Sequence, residues 1–344
     1  MEVHQLQTEF FQHLKENMPP HLSMVDELCD LLELSHDSVY RRIRGEKPMS
    51  FSELKHICEH YHFSIDQVLK LQNSTVMFEA PELNNSNHRD FSEYLRGVLK
   101  QCKYFNSFKE RKMYYFCKDA NLWYFYLYPE LAAFKTFFWI KTIQNHPDYR
   151  NETFSLEKFP FKESFELGQL IIKEYNEMHS VELWNIESIN STIHQIEYYR
   201  DAGLFDKKED FDAVIKALFQ MLDHLQLQTE KGVKFMPGAT DLSYRSPSHF
   251  YVNELILGNN DILLELDGKR VAIFTYNVLN YLITRDERFT EKAFKNFNVL
   301  LSRATLISGT GEKERNKFFN GLRERVRALK PQGAIGNWQL ANQH

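Results

Sequence analysis

Residues 25–69 read VDELCDLLELSHDSVYRRIRGEKPMSFSELKHICEHYHFSIDQVL. Val25, Leu28, Cys29 and Leu32 recur at the spacing of a short helix with one apolar face. Leu34-Ser35 marks a turn, and Ser35 suits the N-cap of a second helix because its hydroxyl can accept from a backbone N–H in the first turn. That helix, about residues 36–44, turns Val39 and Ile43 inward and stops at Gly45, a residue that takes the left-handed C-cap conformation readily. Phe51, Leu54, Ile57, Cys58 and Tyr61 outline the next helix, capped by Ser50 or Ser52. Ile65, Val68 and Leu69 outline the last.

Short helices in this order, with a tight turn between the second and third of five, resemble the lambda-repressor-like (XRE) helix-turn-helix family. The resemblance covers about residues 22–70 and rests on the small Cys29, on Ser35, Val39, Ile43 and Gly45, and on Ser64-Ile65-Asp66 at the start of the last helix. One residue departs from the pattern, Glu33, which stands in a turn position often held by Gly. The resemblance implies double-stranded DNA as partner, with the second motif helix in the major groove and its early residues against base edges. His36, Asp37, Tyr40, Arg41 and Arg44 then face outward, with Ser35 and Ser38 at the helix start. Arg41, Arg42, Arg44 and Lys47 add four cations within seven residues, which suits guanine edges and phosphates. An arginine run on a short helix is also what a solvated face looks like. A bundle that only docks a protein partner therefore stays open.

Outward from this segment, residues 4–17 form a lead-in helix with Leu6, Phe10, Phe11 and Leu14 on one stripe. This gives a DNA-binding domain over 1–71. Residues 72–90, with Pro81 and several Asn, read as a linker. The body over 91–330 is expected to be helical with a small antiparallel sheet, making the whole chain mainly α with an α+β C-terminal part. The expected sheet elements are a hairpin from Met113–Cys117 and Leu122–Tyr128, and a meander of YVNELIL, DILLEL and RVAIFTY. The meander is punctuated by Asn259-Asn260 and Asp267-Gly268. Leu131–Ile143 reads as one buried helix and 163–229 as two or three more. Residues 331–344 look like a flexible tail.

Composition narrows function less. A net charge of −5 over 344 residues does not advertise nucleic-acid binding, and 21–70 carries nine acids against six Lys and Arg, so any DNA grip must be local. Four scattered Cys without a CxxC suit a reduced cytoplasmic interior. No signal peptide or membrane-length apolar run appears, so no membrane partner is expected. His56, His60 and His62 sit near Cys58, but Cys58 belongs to an apolar stripe, so no metal site is assigned. The aromatic run LWYFYLYPELAAFKTFFWIKTI reads as core. Ser302–Arg315 is a Gly/Ser/Thr-rich loop feeding a helix, and Arg303, Ser308, Thr310, Lys313 and Arg315 there are candidates for an anion site. No catalytic constellation or cofactor motif is found. The expectation is a non-enzymatic, homodimeric transcription regulator whose C-terminal body takes a small-molecule or protein effector. Its rivals are an interaction scaffold and an anion receptor or enzyme.

Overall fold

The computed structural model describes residues 3–18, 22–61, 76–80, 91–242, 246–254, 258–276 and 280–329. The chain divides into two units, one of Met1–Glu79 with Ile283–Phe289, the other of Ala80–Leu282 with Thr290–His344. The final motif helix expected near 65–69 and the tail over 331–344 lie outside the described residues.

The first unit is helical. Helix α1 (Val3–Asn17) is followed by α2 (Met24–Leu32), α3 (His36–Ile43) and α4 (Phe51–His60). Phe10, Phe11, Leu14 and Met18 from α1 and its end pack with Leu28, Val39 and Ile57, so one buried residue or more from each helix meets in a single core. The lead-in helix is thus part of the bundle rather than an appendage. The apolar stripe read for α4 loses its first member, because Phe51 is 90% exposed. Phe51 opens the helix, before the first turn brings side chains round to the core. Of the expected linker, Glu79 and Ile283 exchange backbone hydrogen bonds (2.7 and 2.9 Å), and Thr284 Oγ1 donates to Met77 O (2.7 Å).

The second unit corrects the expected architecture. The sheet, whose strands other than β6 lie wholly in this unit, is seven-stranded and mixed, in the order β6-β5-β4-β1-β2-β3-β7. The strands are β1 (Arg111–Cys117), β2 (His179–Trp184), β3 (Ser248–Val252), β4 (Asp261–Leu266), β5 (Lys269–Thr275), β6 (Tyr281–Thr284) and β7 (Thr305–Leu306). β1, β2 and β3 run parallel, whereas β4 joins β1 and β5 joins β4 antiparallel. Only the β4–β5 hairpin of the expected meander exists, turning at Asp267 (φ 47°) and Gly268 (φ 80°), the two positive φ values a type I′ turn needs. β3 pairs with β2, far away in sequence. Parallel neighbours need a long crossover and leave no turn signal between them, so the sequence carries no mark of the β2–β3 pairing.

The hairpin expected over 113–128 is also absent. Strand β1 leads instead into a 3-10 helix, Leu122–Leu127, where Trp123 through Leu127 are all buried. A run buried on every side carries no period to separate strand from helix. The expected helix over 131–143 is α-helical over Pro129–Phe138 and π-helical over Trp139–Ile143. Between the two long α-helices Lys162–Asn176 and Lys208–Lys231 lie β2 and the helix Asn190–Asp201.

One sheet face packs Phe116, Val181, Leu183, Leu263 and Ala272 against Phe294 and Phe297 of the helix Glu287–Leu301. The other face carries a fully buried carboxylate, Glu182. It accepts from Tyr124, Tyr175 and Trp184 Nε1 (2.8 Å for the last), with Cys117 Sγ at 3.8 Å. Several donors on one carboxylate offset the loss of water that burial imposes.

Candidate nucleic-acid interface

Helix α3 begins at Ser35, whose Oγ accepts from Ser38 N (3.4 Å) and lies 3.1 Å from Ser38 Oγ. It ends at Arg44, followed by Gly45 at φ 75°. The preceding turn is closed by Glu33 in the left-handed conformation (φ 53°, ψ 43°), its N–H bonded to Cys29 O. The chain therefore builds the turn with Glu where the resemblance led one to look for Gly.

The eight-residue helix has two faces. Val39 is buried and Ile43 half-buried, while Asp37, Tyr40, Arg41 and Arg44 are exposed. The exposed set follows the i, i+3, i+4, i+7 pattern of one helical stripe. His36 extends it at the helix start, where its Nε2 meets Asp26 Oδ1 of α2 at 2.9 Å. That contact, after the Ser23 hydrogen bond, holds the Asp26 carboxyl below its ordinary range. Lys47 is exposed just beyond the helix.

Arg42 does not join this surface. It is 5% exposed, donating to Glu53 Oε1 of α4 (2.5 Å) and to Ser38 O (3.1 Å). The helix period explains the difference, since Arg42 follows Val39 by three residues on the inward face. Glu53 serves twice, because its other oxygen accepts from Ser50 N (2.8 Å) in a capping box that starts α4. Despite the desolvation that opposes it, the Arg42 hydrogen bond helps to keep the Glu53 carboxyl acidic.

Two further residues, missed in sequence, shape the site. Gln7 of α1 donates to Arg42 O (2.7 Å) and Lys47 O (2.8 Å) and accepts from Met49 N (2.9 Å). Three bonds from one largely buried amide fix the loop that follows α3. No sequence signal announces contacts 35–42 residues apart. Glu46 receives Arg44 Nε (2.6 Å) and lies 3.9 Å from Arg41 Nε. Hydrogen bonding to Arg44, more than any other cause, draws the Glu46 carboxyl pKa down. Both arginines thus converge on one exposed anion, in the manner they would converge on a phosphate oxygen.

The second candidate set, in the loop 303–315, is not gathered into a similar surface. Ser308 and Arg315 are buried: Ser308 Oγ accepts from Phe250 N (3.2 Å), and Arg315 donates to Ile307 O and Gly309 O (2.9 Å each). Arg303, Thr310 and Lys313 are exposed. The helix that follows, Glu312–Arg327, has Glu312 and Glu314 in its first turn, where they already meet its positive end. His56 and His60 are exposed, His62 lies outside the described residues, and no group of three metal-ligating side chains converges among the described ones. No helix among the described residues is long and apolar enough to cross a membrane.

No curated protein and no solved structure matches the chain. Residues 12–90 match the family model described as the BetR domain, which is a helix-turn-helix type of DNA-binding domain found in regulators.

Proposed function

We propose that the protein is a sequence-specific transcription regulator of the lambda-repressor-like kind, acting without catalysis in the cytoplasm. Helix α3 enters the major groove and the larger unit senses an effector or holds a dimer together. The observation that carries this reading is the exposed stripe of Asp37, Tyr40, Arg41 and Arg44 on α3, continued by Lys47. Arg41 and Arg44 reach base edges or phosphates, and Glu46 gives them up to the duplex. Asp37 and Tyr40 add selectivity as acceptor and aromatic contact. One short helix reads only a few base pairs, so useful affinity requires two half-sites and hence two copies of the chain.

The test is enrichment from a pool of random duplexes at several salt concentrations. The intact protein enriches a two-fold symmetric site, and its affinity falls steeply with salt. Arg41→Ala/Arg44→Ala abolishes the enrichment and lowers the salt slope by about two, one for each lost phosphate contact, while leaving circular dichroism unchanged. Equal enrichment by the double variant would overturn the assignment of α3.

A further inference from the structure

The sheet face that packs on Phe294 and Phe297 is covered over only part of its length. Toward the amino end of the parallel strands the same face carries polar side chains in a row. Cross-strand register sets Arg270 of β5 beside Glu265 of β4, Glu265 beside Lys112 of β1, and Lys112 beside His179 of β2. His249 of β3, the register partner of Val181, shares this face one pair further along and leans diagonally onto the row, its Nδ1 lying 3.2 Å from His179 Nε2. Residues directly paired across strands share a face, so this alignment follows from the backbone.

The charges in this row do not balance. Glu265 is engaged by Tyr114 Oη (2.7 Å) and by Arg270 Nε (3.6 Å). Lys112 Nζ lies over the Tyr114 ring, 4.8 Å from its centroid, and among the described residues no carboxylate is within ion-pair distance of it. Lys112 faces both imidazoles, and Lys234 acts on His179 from the opposite side of the sheet, where its ammonium donates to Ser180 Oγ (2.8 Å). Burial first, then Lys112, His249 and Lys234, hold His179 down to about 4, and burial and Lys112 lower His249 as well. A half-buried imidazole pair kept unprotonated by burial and by Lys112, with no counter-carboxylate among the described residues, is poised for an anion. The anion would satisfy Lys112 and let both imidazoles donate. Two ring nitrogens at this distance also suit a metal ion, but a neighbouring ammonium, and the lack of a third metal-ligating side chain among the described residues, oppose a cation.

We propose that Lys112, His179 and His249 form a binding site for a phosphate group carried by a small effector. The site is independent of the DNA-binding reading, since it lies in the second unit and uses none of the α3 residues. Phosphate binding draws a proton onto the imidazole pair, so affinity rises as pH falls below the pKa of the occupied pair and levels off near about 4, where His179 charges without the ligand.

The test follows the imidazole NMR signals of the whole protein, without DNA, during titration with inorganic phosphate, glycerol phosphate or succinate against chloride at equal ionic strength. Saturable shifts of the His179 and His249 signals with the phosphates are expected. Loss of one charge-assisted contact in Lys112→Gln weakens them by about tenfold or more. Glycerol phosphate binding at least as tightly as phosphate is expected of an esterified effector, and binding of inorganic phosphate alone would overturn the carried-phosphate proposal. Equal binding of succinate, an unchanged affinity in Lys112→Gln, or no shift at all would each overturn the proposal. Because His179→Gln can unsettle the strand pair, the conservative Lys112→Gln carries the test, with near-UV circular dichroism as its control.

Discussion

Arg42 and Arg315 occupy similar places in the sequence, each inside a basic stretch beside a glycine-bearing loop, and both are buried, at 5% and 4% exposure. The two stretches nevertheless end differently. After α3 the loop is held by Gln7, a neutral side chain from another helix, so that Arg41, Arg44 and Lys47 stay at the surface. In the loop before Glu312–Arg327 the arginine itself holds the carbonyls of Ile307 and Gly309. A cation is available to a ligand only when some other group satisfies the backbone around it. Counting Lys and Arg along a chain cannot see that division of labour.

The largest effects should come from removing the two buried arginines. Arg42→Ala strips Glu53 of its partner, and Arg315→Ala orphans two carbonyl oxygens. Each should cost about 3 kcal/mol. Trp123, Trp139 and Trp184 all lie in the second unit. Tryptophan fluorescence should therefore report the melting shift of Arg315→Ala, while Arg42→Ala should appear mainly in helical circular dichroism. If Arg42→Ala instead melts like the intact protein and loses only DNA, the division between clamp and reader arginines is wrong.

Gln7→Ala sharpens the contrast at the next scale. It removes three hydrogen bonds while leaving every cation in place, and should destabilise the first unit by about 2 kcal/mol. At temperatures where that unit is still folded, DNA affinity should also fall, because the loop bearing Glu46 and Lys47 is no longer fixed. Gel-shift titration beside a thermal melt separates the two. Unchanged affinity in a folded Gln7→Ala protein would show that the loop needs no outside support.

What could be read in advance follows the same line between local and distant contacts. Ser35, Val39, Gly45 and the Ser50–Glu53 box act within a few residues, so their spacing was enough to place α2, α3 and α4. Asp267-Gly268 likewise announced its own hairpin. The inward turn of Arg42 is legible in its period, three residues after Val39, although its charge points the other way. Nothing local could show β2 beside β1 and β3, because HSVELW is six residues long, buried on both faces, and contains a glutamate whose donors lie on other elements. Gln7, and the meeting of Lys112, His179 and His249, belong to that same hidden class.

The smallest predicted effect concerns a turn built against preference, with a residue less suited to positive φ than the Asn145 and Asp267 that also adopt it. Glu33 holds φ 53° and ψ 43°, a region where a side chain with a Cβ is strained by about 1 kcal/mol. Glycine relieves the strain but gains freedom in the unfolded chain, so Glu33→Gly should stabilise the first unit by somewhat less than that, about 0.5 kcal/mol. Charge is a confounder, since the exposed acid goes as well. Glu33→Ala resolves it: the alanine removes the carboxylate but keeps the Cβ, and should give no stabilisation. If both variants raise the melting temperature equally, relief of acidic repulsion explains the gain and the turn carries no strain. If only glycine does, the turn stores backbone strain that the packing of Leu28, Val39 and Ile57 outweighs. DNA affinity should then be unchanged, because the stripe on α3 is untouched.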